Sequence, residues 1–208
     1  MDTMRLPLRG ISAGLMLVVI GFASACGGGN GTKATVRPGA LPTQSVTASR
    51  PGVADSLKLT SPAFGQGGAI PALYSCDGPG KSPELDISGA PAGTQQLALI
   101  VQDPDAGGTG FTHWVLYGIP ATTTRIAAGA SPGGTLPTGA VEGNNSSGKA
   151  GYSGPCPPKG TAAHHYYFRL YALDAPLNLP AGRTKEQVES AMAAHILSQT
   201  ELLGLFNR

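Results

Sequence analysis

Residues 151–174 restrict what this chain can fold into more than any other stretch. They read Gly-Tyr-Ser-Gly-Pro-Cys-Pro-Pro-Lys-Gly, then Thr-Ala-Ala-His-His, then Tyr-Tyr-Phe-Arg-Leu-Tyr-Ala-Leu-Asp. The first part is neither helix nor central strand, because Pro155, Pro157 and Pro158 fix φ and donate no backbone hydrogen bond. Gly151, Gly154 and Gly160 allow turns closed to other residues. The last part is a strand: Tyr166, Phe168, Leu170 and Ala172 alternate with Tyr167, Arg169, Tyr171 and Leu173. Both sets carry apolar bulk, so much of this strand belongs inside a sheet. His164 and Tyr166 share one face at its start, since side chains repeat every two residues. A rigid Gly-Pro loop feeding a buried strand makes a pocket wall.

A second stretch has the same design. Leu97–Val101 reads as strand, Asp103-Pro104-Asp105-Ala106 as an acidic loop, and Phe111–Ile119 as strand again. His113 opens that second strand as His164 opens the other.

With these residues in view, the chain resembles the phosphatidylethanolamine-binding proteins, in their bacterial Raf-kinase-inhibitor-like branch. The resemblance rests on Asp103-Pro104-Asp105-Ala106, His113-Trp114, Gly151-Tyr152-x-Gly154-Pro155-Cys156-Pro157-Pro158 and His164-x-Tyr166. Tyr74 to Gly78 and Ser82-Pro83-Glu84-Leu85 also fit, and the likeness runs from about Leu57 to Arg208. It implies a mainly β fold, a β-sandwich of antiparallel sheets with a C-terminal helix. It also implies a small anion pocket lined by Asp103, His113, Gly154, His164 and Tyr166, for phosphate or a phosphorylated head group such as phosphoethanolamine. Two departures from the family pattern are expected to matter. His165 stands where Arg is usual between the His and the Tyr, and Gly107 where a second Pro is usual, which loosens that loop.

The chemistry of the set agrees with anion binding. Imidazoles and a tyrosine hydroxyl donate to oxyanions, and backbone N–H groups near a glycine approach an anion closely. Asp103 is not an anion ligand, and its expected role is to orient an imidazole; Asp105 is expected to do the same or to cap the loop. Each residue also has a plainer reading, His113 as a satisfied polar strand end, Trp114 and Tyr117 as core. A zinc hydrolase built on Asp103, His113 and His164 is disfavoured, because no His-Glu-x-x-His or comparable spacing is present. A Cys156 nucleophile is disfavoured too, since the residue sits between prolines with no helix N-terminus to activate it. The expectation is a binding protein, with no enzymatic activity, metal or cofactor. The runner-up is an inhibitor or regulator acting by protein contact on a protease or kinase.

Composition narrows the class further. Charged residues are 12% of the 208, net charge is +2, and no Lys/Arg cluster exists; nucleic-acid binding needs a basic footprint and is excluded. Arg5 and Arg9 precede an apolar run from Ile11 to Phe22, followed by Ala23-Ser24-Ala25-Cys26. That pattern is a lipoprotein signal over residues 1–25, with lipid on the Cys26 sulfur and the protein held on the extracytoplasmic face of a membrane. An ordinary secretory peptide cut after Ala25 is the alternative. Residues 26–54 read as a disordered Gly/Ser/Thr/Pro-rich tether, and 55–208 as the folded domain.

The chain has 3 Cys. With Cys26 given to lipid, Cys76 and Cys156 remain as an even pair in an oxidising compartment, where a disulfide is expected; two free core thiols are the alternative. Residues 129–148 are rich in Gly, Ser and Asn and are expected to be a long mobile loop. Tyr74 to Gly78 is expected to start as a short strand, and Tyr166–Leu173 to be the last major strand. Near the end, Thr184-Lys-Glu-Gln187 is a capping box. Val188, Ala191, Met192 and Ile196 form one helical face, with Gly204 as its stop.

Overall fold

The computed structural model describes residues 56–208, so the expected signal, the Cys26 site and the tether lie outside the described residues. The strands are β1 (Lys58–Thr60), β2 (Gly68–Ala69), β3 (Leu85–Ser88), β4 (Gln96–Asp103), β5 (Phe111–Pro120), β6 (Arg125–Ile126), β7 (Val141–Glu142), β8 (His164–Leu173) and β9 (Ile196–Phe206), with one helix, α1 (Lys185–Met192). They form a three-stranded sheet, β1-β3-β6, and a six-stranded sheet, β2-β9-β8-β4-β5-β7. Pairing is antiparallel except between β2 and β9.

The alternation in β8 explains the layering. Tyr166, Phe168, Leu170 and Ala172 are buried in the core between the two sheets, with Leu59, Leu85, Ile87 and Ile126 from the smaller sheet. The opposite set feeds a second core, where Tyr171 and Leu173 pack with Ile100, Tyr117, Val188 and Met192 under α1. Each such apolar side chain contributes about 1.5–3 kcal/mol of burial. The sheet is therefore covered on one face by strands and, over part of the other, by the helix. Trp114 and Tyr117 are both core residues.

The end of the chain corrects one expectation. The capping box at Thr184 is formed, with Thr184 Oγ1 accepting from Gln187 N–H and Gln187 Oε1 from Thr184 N–H. The helix it starts closes at Met192, and Ile196 to Gly204 belong to strand β9, not to a longer helix. β8 is thus not the last strand. Gly204 is no helix stop: it sits opposite Tyr166 in the ladder. A Cβ there would come within 2.6 Å of Ile70 Cγ1 and 2.9 Å of Phe64 Cε2. Long-range pairing with β8 outweighs the local helical pattern, because Leu202, Gly204 and Phe206 also alternate inward.

Two further expectations are revised. Ala72–Tyr74 is a single 3-10 turn rather than a strand. The 129–148 segment is tied down by buried polar groups. Ser131 Oγ accepts from Tyr152 N–H at 2.8 Å, and Asn145 donates to Gly151 O at 3.1 Å while accepting from Ser147 N–H. Composition suggested a mobile loop because it counts polar residues without seeing their partners. Among the described residues no helix is long and apolar enough to cross a membrane.

Candidate functional site

Three pieces of chain meet at one end of the six-stranded sheet: the Asp103–Gly110 loop, the start of β5, and the 153–161 wall that leads into β8. Between them lies a cavity of about 520 Å³, lined by Asp103, Asp105, Phe111, His113, Gly154 and His164, with Pro157 and Pro158 on the wall.

The acidic loop is built by its own carboxylates. Asp103 Oδ1 accepts from Asp105 N–H at 2.8 Å, which closes the turn through Pro104. Gly110 has φ of 81°, and a Cβ there would stand 2.6 Å from Asp103 O, so the return of the loop requires glycine. The two carboxylates then hold two consecutive histidines. His164 Nδ1 donates to Asp103 Oδ2 at 2.8 Å, and His165 Nδ1 and its backbone N–H both donate to Asp105 Oδ2, at 2.7 and 2.8 Å. The hydrogen bonds from His165 hold the Asp105 carboxyl below its usual pKa. The His164–Asp103 pair is mostly buried, with 13% and 3% of the side chains exposed, whereas the His165–Asp105 pair faces solvent.

His113 is held differently. Its Nδ1 lies 2.6 Å from Ser153 O, and Ser153 N–H donates to His113 O at 2.9 Å. The wall and β5 are stitched together at this residue. The His113 ring lies between Phe111 and Tyr166, with centroids at 4.7 and 5.2 Å. Burial pushes its pKa below the ordinary imidazole value, against the opposing pull of Ser153 O and Asp103. His113 Nε2 is buried without a hydrogen-bonding partner.

Tyr166 is brought to the same place but does not line the cavity; it is fully buried behind His113. Its hydroxyl is also buried and makes no well-formed hydrogen bond, interacting only weakly with the Asp103 carboxylate. Burial, and next the charge of Asp103, push its pKa well above that of an ordinary tyrosine, so it is a protonated donor at any physiological pH. Gly154 lines the cavity, but the space its missing Cβ leaves faces elsewhere: a Cβ would lie 2.7 Å from Tyr74 O. Glycine is needed there so that the wall can sit on the Tyr74–Ser75 backbone.

That seating is fastened three more ways. Cys76 N–H donates to Pro155 O at 3.0 Å, Tyr152 Oη donates to Tyr74 O at 3.0 Å, and Cys76 and Cys156 are joined by a disulfide with Cα atoms 5.4 Å apart. Arg208 caps the bridge, with Nε on Asp77 Oδ1 at 2.8 Å and Nη1 3.5 Å from Cys156 Sγ. Ser153, Phe111 and Arg208 were not legible as site residues. Ser153 acts through its backbone carbonyl, which no side-chain pattern reveals; its place beside Gly154 is the only clue.

A fold of this kind, with a sheet-end pocket walled by a Gly-Pro loop and two histidines, defines a class. Residues 60–207 match the phosphatidylethanolamine-binding protein family. A UPF0098 protein of Methanothermobacter thermautotrophicus is 46% identical over 152 residues, 73% of this chain and 99% of the relative. LppC of Mycobacterium tuberculosis, named as a candidate lipoprotein, is 41% identical over 203 residues, 97% of this chain and 96% of its own length. Among solved structures, Escherichia coli YbcL, described as a member of the mammalian family, superposes with a TM-score of 0.70 at 35% identity. It covers 74% of this chain and 99% of YbcL. A Chlamydia trachomatis homologue superposes with a TM-score of 0.68 at 40% identity, covering 74% and 99%. The chain belongs to the phosphatidylethanolamine-binding protein family.

Proposed function

We propose that this protein is an exported, lipid-anchored binding module whose sheet-end cavity takes phosphate or a phosphorylated head group such as phosphoethanolamine. The observation that carries the reading is the pair of histidines bordering one cavity. Each has Nδ1 fixed on an acceptor, Ser153 O or Asp103 Oδ2, which leaves both Nε2 atoms for a ligand. Tyr166 adds a buried hydroxyl behind them that makes no well-formed hydrogen bond. Asp103, with both oxygens engaged, and Asp105, through Oδ2, contribute by orienting groups. The likeness to LppC, which extends over almost the whole chain, supports an anchor at Cys26 and a place on the extracytoplasmic side of a membrane.

Isothermal titration with phosphoethanolamine tests the site. His113→Ala and His164→Ala are each expected to lose about 1.5–3 kcal/mol of binding, the worth of a hydrogen bond to a charged group. Unchanged affinity in both variants removes the histidines from the site. Cys26→Ala is expected to move the protein from the membrane fraction to the soluble one, and continued membrane retention ends the anchor reading.

A further inference from the structure

The hydrogen bond that fixes His113 also decides what its other nitrogen offers. Ser153 O is a carbonyl and only accepts, so Nδ1 carries a hydrogen in either charge state of the ring. Neutral His113 therefore has a bare lone pair on Nε2. That atom is buried and unpartnered, in a residue that is 5% exposed and lines the cavity. A fully ionised oxyanion brought against it sets lone pair against lone pair, and one of the two must acquire a proton. An oxyanion that brings its own proton, or that is basic enough to share one, makes a hydrogen bond there directly.

We propose that the pocket selects proton-bearing oxyanions, namely inorganic phosphate and phosphate monoesters. Oxyanions that stay fully ionised, sulfate and the phosphodiesters of intact lipids, are discriminated against, and His113 is the residue that sets this preference. The inference rests on the anion-site reading above and sharpens it by naming the ligand class. Phosphate monoesters lose their second proton near pH 6, so a proton is available to the complex close to neutrality. Sulfate and phosphodiesters have no comparably basic oxygen, and for them the proton must be placed on His113, where burial opposes it. The other charged and titratable groups facing the ring do not remove this bias. Asp103, on β4, has both oxygens committed, to His164 and to Asp105 N–H. Tyr166, on β8, is held in its protonated form. His164, also on β8, opposes a second charge at His113 whenever it is itself protonated.

The test is isothermal titration of the full-length protein, in a non-ionic detergent and a buffer free of phosphate and sulfate. The four probes are phosphoethanolamine, inorganic phosphate, sulfate and glycerophosphoethanolamine, the diester. Near neutrality the first two are expected to bind at least about tenfold tighter than the last two, the cost of one unmade buried hydrogen bond. Phosphoethanolamine binding, repeated in two buffers of different ionisation heat, is expected to draw in a proton and to weaken in mildly alkaline solution. His113→Gln places an N–H donor near the Nε2 position without needing a proton; it is expected to raise sulfate affinity toward that of phosphate. Equal binding of monoester, sulfate and diester by the unaltered protein overturns the inference while leaving the anion site standing. Tighter binding of the diester does the same. Failure of all four to bind overturns both.

Discussion

At the Gln96–Leu173 end of the β4–β8 pair, Leu97, Ala98, Ala172 and Leu173 are fully buried, and Gln96 Oε1 accepts from Leu177 N–H at 2.9 Å. At the other end the same two strands carry Asp103, His164 and Tyr166. Beside them lie two of the three buried side-chain polar atoms that lack a partner among the described residues, His113 Nε2 and Tyr166 Oη. One sheet thus ends in closed apolar packing on one side and in unsatisfied polar groups on the other. Unpaired buried polar atoms destabilise a fold. Their concentration at one edge is what the proposed anion site would require, stability being given up at a functional site.

Variants at the two ends are expected to separate stability from binding. Leu173→Ala opens a cavity at the closed end and is expected to lower unfolding stability by about 2–5 kcal/mol in urea denaturation, with phosphoethanolamine affinity near that of the unaltered protein. A matching loss of affinity would mean that the two ends are coupled.

The disulfide comes next. Cys76 and Cys156 are 80 residues apart in sequence, and the bridge holds the pocket wall to the Tyr74–Gly78 segment. Replacing both by Ala is expected to cost about 2–4 kcal/mol and, unlike Leu173→Ala, to weaken anion binding as well, because the wall carries Ser153. Stability loss with unchanged binding would show that the backbone bonds from Cys76 and the Tyr152 hydroxyl bond fasten the wall by themselves.

Tyr166→Phe inverts the pattern. It deletes a buried hydroxyl that makes no well-formed hydrogen bond and interacts only weakly with the Asp103 carboxylate, so stability is expected to stay within about 1 kcal/mol of the unaltered protein, while affinity for phosphoethanolamine falls. A clear loss of stability would place a structural hydrogen bond on that hydroxyl and undo the contrast drawn above.

The smallest effect is a dependence on pH. Burial lowers the His113 pKa from its ordinary 6.5. Below about pH 6.5 the unfolded chain takes up a proton that the folded protein refuses, so the unfolded state binds more protons and stability rises with pH. This contribution is present in full above pH 6.5 and is lost as pH falls from there toward the lowered folded value. His113→Asn keeps a donor for Ser153 O and is expected to flatten that part of the stability curve. An unchanged slope in the Asn variant would assign the acid sensitivity to other groups.

Much of this was written locally. The alternation from Tyr166 to Leu173 and the proline-glycine wall before it are short-range signals, and each produced the element it announced. So did the capping box at Thr184, and the Asp-Pro-Asp turn placed Asp103 against an imidazole. The sequence by itself determined which residues could be strand, which loops had to be rigid, and which side chains had chemistry to offer, because rotational freedom and side-chain period are properties of a few neighbouring residues. The tertiary structure alone decided that Ile196–Phe206 becomes a strand, since its pairing with β8 is made across the chain and outweighs a helical pattern of equal local merit. It also decided that His113 leans on Ser153 O and His164 on Asp103. A histidine's tautomer is set by whichever acceptor the fold brings to its ring, and those acceptors lie 40 and 61 residues away.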